Sequence, residues 1–234
     1  MVDRLTDVEE HLDGPLDDPA SLAANLRDLR RLNSLTGGGS LSVKAVRALR
    51  RITPTLRTLL DVGSGACDIP VLLLADAQRG GESLEVTATD SRPEILAAAR
   101  AVRPALDRVA GLTIAVADGR QLPYPDQSFD IAHASLVLHH LAPDDAIVLL
   151  GEMRRVARSG IVVNDLDRSW TTWLGAWLLA RTIARSPYTR HDAPLSVRRA
   201  YTRDEMTDLI REAGATPTVS FAGFALHRYA IAAS

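Results

Sequence analysis

Short apolar runs alternate with amphipathic segments along residues 56–234 of the chain. The apolar runs have the length of buried strands; they fall at residues 59–62, 84–90, 112–117, 129–135, 161–166, 216–221 and 225–232. Apolar residues spaced three and four apart predict helices; these are residues 69–78, 93–103, 144–157 and 203–213. Parallel neighbouring strands need crossover helices, so the alternation predicts an α/β fold. We expect a mostly parallel seven-stranded sheet with an antiparallel edge strand from the closing hairpin and helices on both faces.

Helical patterns also precede the first predicted strand. Residues 22–32 form one pattern, which the three glycines at 37–39 end, and residues 42–52 form a second. We therefore predict an N-terminal helical cap in residues 1–55 and one α/β domain in residues 56–234. Within that domain, residues 167–202 are more than a plain crossover needs. We expect them to form an insertion that covers the functional site.

The charge of the chain is nearly balanced, at −2 over 234 residues, so we expect no nucleic-acid partner. The N-terminus is acidic and has no apolar signal segment. The most apolar stretch, residues 170–184, contains Arg181 and is shorter than the ~20 residues of a membrane span. These features predict a cytoplasmic protein. The six histidines and the single cysteine, Cys67, show no metal-ligand spacing, so no metal site is expected.

Glycine or aspartate residues follow each of the first three predicted strands. Gly63 and Gly65 let the backbone turn sharply and let a ligand approach closely. Asp90 ends the second strand, where a carboxylate can accept hydrogen bonds from a ribose, and Asp118 could accept one from the adenine amine. Alone, each feature is also typical of an ordinary turn or helix cap. Because the carboxyl ends of parallel strands meet at one edge, together they predict a site for one adenosine-like ligand.

The acidic surroundings indicate which adenosine ligand fits. Asp68 occupies the third glycine position of the G-x-G-x-x-G dinucleotide pattern, where a pyrophosphate would meet the helix N-terminus. Repulsion there disfavours NAD(P), whereas a positive sulfonium without phosphate suits Asp61, Asp68, Asp90 and Asp118. We therefore predict S-adenosylmethionine as the cofactor. An NAD(P)-dependent oxidoreductase is the alternative, and a nucleotide-binding module without catalysis is a third possibility.

Three segments carry a family resemblance that covers residues 56–166. They are LLDVGSGACDIP at 59–70, VTATDSRPEIL at 86–96 and VADGRQLPYPDQSFDIAHASLVLHHL at 116–141. The last of them contains LPYPDQSFD, similar to the LPFPDxSFD block of class I S-adenosylmethionine-dependent methyltransferases of the UbiE-like type. The resemblance implies a Rossmann-like fold, a transferase activity and S-adenosylmethionine.

The same resemblance implies roles for individual residues. Gly63 and Gly65 would border the methionine part of the cofactor, Asp90 would bind the ribose and Asp118 the adenine amine. The full set of cofactor-binding residues implied is Asp61, Gly63, Ser64, Gly65, Asp90, Ser91, Asp118, Gly119, Ala134 and Ser135. Cys67 departs from the family, since many relatives have a third glycine there.

A looser resemblance covers two further parts of the chain. LRDLRRLNSLTGG at 26–38, and VVNDLDRS at 162–169 with RHDAPLSVRRAYTRDEM at 190–206, are similar to methyltransferases found beside type III polyketide synthases. This resemblance implies secondary metabolism and a small-molecule acceptor that is phenolic or quinonoid and has an apolar tail.

Three tryptophans are candidates for the substrate side. Trp170, Trp173 and Trp177 fall on one helical face of the insertion, which fits the apolar wall of a substrate pocket and also fits core packing. Arg198 could steady a phenolate or an acidic substrate, although such a residue is often only solvated.

Two histidines are candidates for a general base. A hydroxyl acceptor must lose its proton, and His139 or His191 could accept it. Structural hydrogen bonding is the common alternative for any single histidine. Because base candidates are present, we prefer methylation of oxygen over methylation of carbon.

Overall fold

The computed structural model describes residues 3–6, 8–16, 18–223 and 227–234. Within these ranges the helices are α1 Pro19–Thr36, α2 Gly38–Ile52, α3 Asp68–Arg79, α4 Pro93–Val102, α5 Pro143–Val156, α6 Trp170–Thr182, α7 Pro187–Arg199 and α8 Arg203–Glu212. The strands are β1 Thr58–Val62, β2 Glu85–Asp90, β3 Leu112–Val116, β4 Phe129–Ser135, β5 Ala157–Leu166, β6 Pro217–Ala222 and β7 Arg228–Ala233. Residues 225 and 226 of the last predicted strand lie outside the described residues.

The seven strands form one sheet in the order β3-β2-β1-β4-β5-β7-β6. β7 runs antiparallel to both β5 and β6, and the other pairs are parallel. The predicted seven-stranded, mostly parallel sheet is confirmed, with its antiparallel pairing near the β6 edge. Strand order reverses direction between β1 and β4, and ligands in such sheets bind at the carboxyl ends of the strands at that point.

Helices cover both faces of the sheet. On one face α5 and α8 pack against it and bury Met153 and Ile210 completely. On the other face α2 and α3 bury Val46 and Leu73. α1 packs against α4 and α7, so it lies over the end of the sheet where β1 and β2 finish. The division of the chain at residue 55 stays a prediction.

The boundary between the first two helices differs from the sequence-based expectation. Only Gly37 interrupts the helical pattern, with a φ of 70°. Gly38 and Gly39 already belong to α2, which was expected to begin at residue 42. The two glycines are needed for close packing: a Cβ at Gly38 would lie 2.0 Å from Arg228 Nη1, and one at Gly39 would lie 2.5 Å from Leu72 Cδ2.

The insertion at residues 167–202 contains two helices, α6 and α7, packed against each other. α7 also packs against α1, so the insertion and the N-terminal helices meet above the sheet. In the parts of the chain that the structure describes, no helix combines the length and the apolar character needed to cross a membrane.

Candidate active site

A cavity of about 900 Å³ opens at the carboxyl ends of β1, β2 and β4, beneath α1, α6 and α7. This volume lies at the upper end of the range of ligand pockets. Nine of the ten residues predicted to bind the cofactor line it: Asp61, Gly63, Ser64, Gly65, Asp90, Ser91, Asp118, Gly119 and Ser135. Ala134, the tenth, is fully buried within β4 and does not line the cavity.

The turn after β1 brings the backbone up to the cavity. Gly63 and Gly65 have φ values of 67° and 50°, the left-handed region that side chains disfavour. A Cβ at Gly65 would meet no protein atom within 4 Å, so the space above this residue is open to a ligand. Cys67 also has a positive φ, of 54°. Burial raises the pKa of its thiol to about 12, so the thiol stays protonated.

A network of buried hydrogen bonds orients the side chain of Asp61. Its carboxylate contacts His133 Nδ1 and accepts a hydrogen bond from the Ser64 hydroxyl. His133 Nε2 lies 2.8 Å from Ser42 Oγ, which in turn accepts from Asn164 Nδ2. Sequence reasoning missed His133, although a histidine inside an otherwise apolar strand signals a buried polar partner.

Asp90 is fixed at the end of β2 with both carboxylate oxygens engaged. Oδ2 accepts from the Gly65 amide at 3.1 Å and Oδ1 from the Arg92 amide at 3.1 Å. Burial raises the pKa of this carboxyl, and the two amides partly oppose that rise. The two loops that end β1 and β2 are therefore joined through the side chain predicted to bind ribose.

Asp68 and Asp118 differ in their surroundings. Asp68 accepts from Asn33 Nδ2 at 3.0 Å, and burial raises the pKa of its carboxyl. Asp118 lies exposed at the cavity rim, where hydrogen bonds from Arg120 lower the pKa of its carboxyl. The buried carboxylates of Asp61 and Asp90 and the half-buried carboxylate of Asp68 thus lie around the part of the cavity next to β1.

His139 forms a pair with Asp165 at the opposite side of the cavity. Its Nδ1 lies 2.7 Å from Asp165 Oδ1, and both side chains are buried. Burial would raise the pKa of Asp165, but the charge and hydrogen bond of His139 outweigh it and hold that pKa below its ordinary value. His139 Nε2 is directed toward Glu10, 4.0 Å from Oε1. Asp165 therefore fixes the orientation of the imidazole, and His139 lines the cavity.

The N-terminal segment reaches across the cavity wall and is held there by ion pairs. Arg199 on α7 contacts both Glu10 and Asp13, and His140 Nδ1 lies 2.8 Å from Asp13 Oδ1. Burial raises the pKa of Glu10, whose Oε2 accepts from Ser196 Oγ at 2.8 Å. Sequence reasoning missed these partners because nearly 190 residues separate Arg199 from Glu10 and Asp13.

This cluster also has the spacing of a metal site. Donor atoms of Glu10, His139 and His140 lie within 4.8 Å of one another. The guanidinium of Arg199 sits on Glu10 in the same cluster, and its positive charge opposes the binding of a cation. The arrangement therefore suits an ion-pair network better, and the absence of a metal stays a prediction.

The structure does not bring the predicted substrate residues to the cavity. Trp170 is 62% exposed, and neither Trp173 nor Trp177 lines the cavity. The opposite face of α6 does so instead, through Thr171, Thr172, Gly175, Ala176 and Leu179. The tryptophans at helical spacing mark one apolar face of α6. The opposite face carries small residues, and these allow it to pack over the cavity.

Arg198 and His191 also lie away from the cavity. Arg198 is exposed, whereas its neighbour Arg199 is buried and pairs with Glu10 and Asp13; neither lines the cavity. The side chain of His191 is 52% exposed and does not line the cavity, although Asp192, whose Oδ1 lies 2.8 Å from His191 Nδ1, does. Of the two predicted base candidates, only His139 borders the cavity.

Comparisons with known proteins agree with this geometry. Residues 60–163 match the Methyltransf_11 family, described as a methyltransferase domain. The ubiquinone/menaquinone biosynthesis C-methyltransferase UbiE of Laribacter hongkongensis (strain HLHK9) is 27% identical over 202 residues, which cover 78% of this chain and 77% of that protein.

Two solved structures share the fold. One is magnesium protoporphyrin IX methyltransferase (ChlM) from Synechocystis PCC 6803 with bound SAH, at a TM-score of 0.57 and 17% identity over 84% of this chain and 83% of that one. The other is an O-methyltransferase family 2 protein from Planctomyces limnophilus DSM 3776 in complex with apigenin, at a TM-score of 0.65 and 17% identity over 94% and 62%.

The family match decides between the two cofactors that the sequence left in competition, and it favours S-adenosylmethionine over NAD(P). The turn after β1, the carboxylates of Asp61, Asp68 and Asp90 and the sheet topology fit that cofactor. The chain carries a methyltransferase domain at residues 60–163 and is similar to class I S-adenosylmethionine-dependent methyltransferases of the UbiE-like type.

Proposed function

We propose that the enzyme methylates a phenolic or quinonoid small molecule that carries an apolar tail, and that the methylated atom is oxygen. The wall of the cavity that α1, α6 and α7 form supports an acceptor of this kind. It is lined by leucines of α1 and by small and apolar residues of α6 and α7: Leu26, Leu29, Leu32, Ala176, Leu179, Ile183, Ala193 and Val197. An aromatic ring and an alkyl chain would be desolvated there, which favours binding by about 25 cal/mol per Å² of apolar surface buried.

The residues around β1 fit the cofactor, whose sulfonium supplies an electrophilic methyl group. Asp90 would hold the ribose hydroxyls, because its carboxylate is already oriented by two backbone amides. Gly63 and Gly65 would border the methionine part, and the open space above Gly65 supports this placement. Asp118 at the rim would accept from the adenine amine, and the backbone near Ser135 would face the ligand.

His139 is the base in this proposal, and its position at the cavity is the observation that carries it. Its Nδ1 is taken up by Asp165, which leaves Nε2 to accept the proton of the acceptor hydroxyl. The buried Asp165 carboxylate would then stabilise the imidazolium that forms. His139 holds the proton while the hydroxyl oxygen is methylated, and the apolar walls exclude water from the reacting atoms.

Methylation of a ring carbon is the second candidate. The related UbiE protein is named a C-methyltransferase for ubiquinone/menaquinone biosynthesis, which favours a quinonoid acceptor and a carbon nucleophile. A quinol carbon also gives up a proton after methylation, so His139 could serve either reaction. The position of the methyl group in the product separates the two.

The test incubates the purified enzyme with S-adenosylmethionine and two probe acceptors, a long-chain 5-alkylresorcinol and a long-chain alkylhydroquinone. Mass spectrometry detects the added methyl group, and NMR distinguishes a methoxy group from a ring methyl. We expect a methoxy product. A ring-methyl product contradicts the choice of oxygen, and turnover of neither probe contradicts the proposed acceptor class.

A pair of matched variants tests the base. H139A removes the imidazole at the cavity, and H191A removes an exposed imidazole that has a similar aspartate partner. We expect H139A to lower kcat by about 10²- to 10⁴-fold while S-adenosylhomocysteine still binds, and H191A to leave kcat unchanged. Equal turnover by the two variants would remove His139 from this role.

A further inference from the structure

The charge of the chain is unevenly divided between the helices over the cavity and the rest of the molecule. Residues 19–36 and 168–199, which hold α1, α6 and α7, contain nine Arg and two Asp. The remaining residues contain 18 Arg or Lys and 27 Asp or Glu. The net charge of −2 thus conceals a strongly positive group of helices on a negative body.

The same helices expose large apolar side chains to solvent. Trp170, Leu174 and Leu178 of α6 are 62%, 48% and 53% exposed, and Leu35 near the end of α1 is 65% exposed. Trp170 stacks on Trp173, with ring centroids 4.8 Å apart. The three α6 residues recur four apart in sequence, so they form a stripe along one side of the helix.

This apolar stripe borders the entrance of the cavity. Leu35 lines the cavity although it is mostly exposed, so it lies at the entrance. Thr171 and Gly175 of α6 are exposed lining residues too, next in sequence to Trp170 and Leu174. A molecule bound at the stripe can therefore enter the cavity directly.

Exposed arginines lie on the same helices or directly after them. Arg181 is in the last turn of α6 and Arg185 follows that helix, and Arg27 and Arg31 lie on α1. The Arg181 guanidinium stands 5.0 Å from the centroid of the Trp177 ring. We use the word cap from here on for α1, α6 and α7 together. We call these four arginines, together with Leu35, Trp170, Leu174 and Leu178, the outer face of the cap.

We propose that the outer face of the cap docks on the surface of an anionic lipid bilayer. Tryptophan and leucine beside arginine is the composition of helices that lie in the bilayer interface, with the apolar residues among the acyl chains and the arginines at the head groups. Anionic lipids attract the basic helices and repel the acidic body, so the charge division also sets the orientation. Docking would place the cavity entrance against the membrane, where an acceptor with an apolar tail resides.

This inference goes beyond the proposed function, because bilayer binding needs neither cofactor nor acceptor. A basic surface could also meet nucleic acid, and Trp170 could stack on a base. The exposed Leu35, Leu174 and Leu178, however, would stay unburied against a nucleic acid, whereas the acyl region of a bilayer would bury them together with Trp170. A second copy of the chain would bring two strongly positive surfaces together. Charge complementarity therefore favours the anionic bilayer.

The test is co-sedimentation of the purified enzyme with vesicles of phosphatidylcholine alone and of phosphatidylcholine with 30% phosphatidylglycerol, a composition chosen as about one anionic lipid in three. We expect binding to the anionic vesicles only, and weaker binding as salt rises, because salt screens exposed charges. Light scattering on the free enzyme reports its oligomeric state. Absence of binding to anionic vesicles would overturn the proposal.

Two pairs of variants locate the surface. W170S/L174Q removes two stripe residues, and V148Q changes an apolar side chain on α5 that is 49% exposed outside the cap. R181E/R185E reverses the charges of two of the four arginines, and R108E reverses an exposed arginine far from the cap in sequence. We expect a drop of about tenfold or more for each cap variant, since removing one interfacial arginine alone costs about fivefold, and no change for the two controls.

Binding of S-adenosylhomocysteine by every variant, measured by calorimetry, shows that the fold is intact. Cap variants that keep both the fold and full vesicle binding would overturn the proposal. So would a dimer that W170S/L174Q separates into monomers, because the stripe would then be an interface between copies.

Discussion

Replacing Gly65 by alanine tests the cavity next to β1 through a substitution whose structural cost can be worked out beforehand. The residue has a φ of 50°, and an added Cβ would meet no protein atom within 4 Å. The free energy of unfolding should fall only by the cost of an alanine in the left-handed conformation, about 1–2 kcal/mol. Part of this is offset, by about 0.4–1 kcal/mol, because alanine also reduces the freedom of the unfolded chain. We expect the melting temperature to fall by about 2–4 °C.

The added methyl group would, however, point into the space assigned to the ligand. Overpacking by one methyl group costs about 1–3 kcal/mol, which corresponds to a roughly 5- to 150-fold rise in the Kd of S-adenosylhomocysteine. Isothermal titration calorimetry measures this rise.

Gly81 provides a matched control for this substitution. It has a φ of 70°, an added Cβ would also meet nothing within 4 Å, and it lies in the turn after α3, away from the cavity. G81A should lose the same small amount of stability and keep the affinity. Equal affinities for G65A and G81A would refute the placement of the ligand over Gly65.

Three further predictions concern buried groups of the same region. D90N should raise the Kd of S-adenosylhomocysteine by about 10- to 150-fold, because it removes a charged acceptor worth about 1.5–3 kcal/mol; calorimetry that finds an unchanged Kd excludes a ribose at Asp90. H133A leaves the Asp61 carboxylate without its histidine partner, at a cost of about 3 kcal/mol, and should lower the melting temperature by about 6–12 °C; a shift below 2 °C contradicts a supporting role. Burial raises the pKa of Cys67 to about 12, so iodoacetamide at pH 8 should modify this thiol only after the protein is unfolded in guanidinium. Mass spectrometry follows the modification. Rapid modification of the folded enzyme would show that the thiol is accessible.

Some parts of the molecule were predictable because local patterns decide them. The turn at Gly63 and Gly65 and the carboxylates Asp90 and Asp118 follow strands whose apolar runs are plain in the sequence. Parallel topology then brings the ends of these strands to one edge without further information. The carboxylates at these strand ends and the order of the elements therefore followed from periodicity alone.

Other parts depend on contacts between distant segments, which periodicity does not contain. The pairing of Arg199 with Glu10 and Asp13 joins α7 to the N-terminal segment, two parts of the chain that lie far apart in sequence. The face of α6 that covers the cavity was wrongly predicted, because the tryptophan face is the more apolar one. Packing selected the face with Gly175 and Ala176 instead, whose small side chains leave room for a ligand.

The most direct measurement is a crystal structure of the enzyme with S-adenosylhomocysteine bound. The predicted result places the two ribose hydroxyls within hydrogen-bonding distance of Asp90, with the sulfur turned toward the part of the cavity that His139 borders. A nucleoside bound elsewhere, or an Asp90 carboxylate turned away from the ribose, would contradict the assignment of this cavity as the methyl-transfer site.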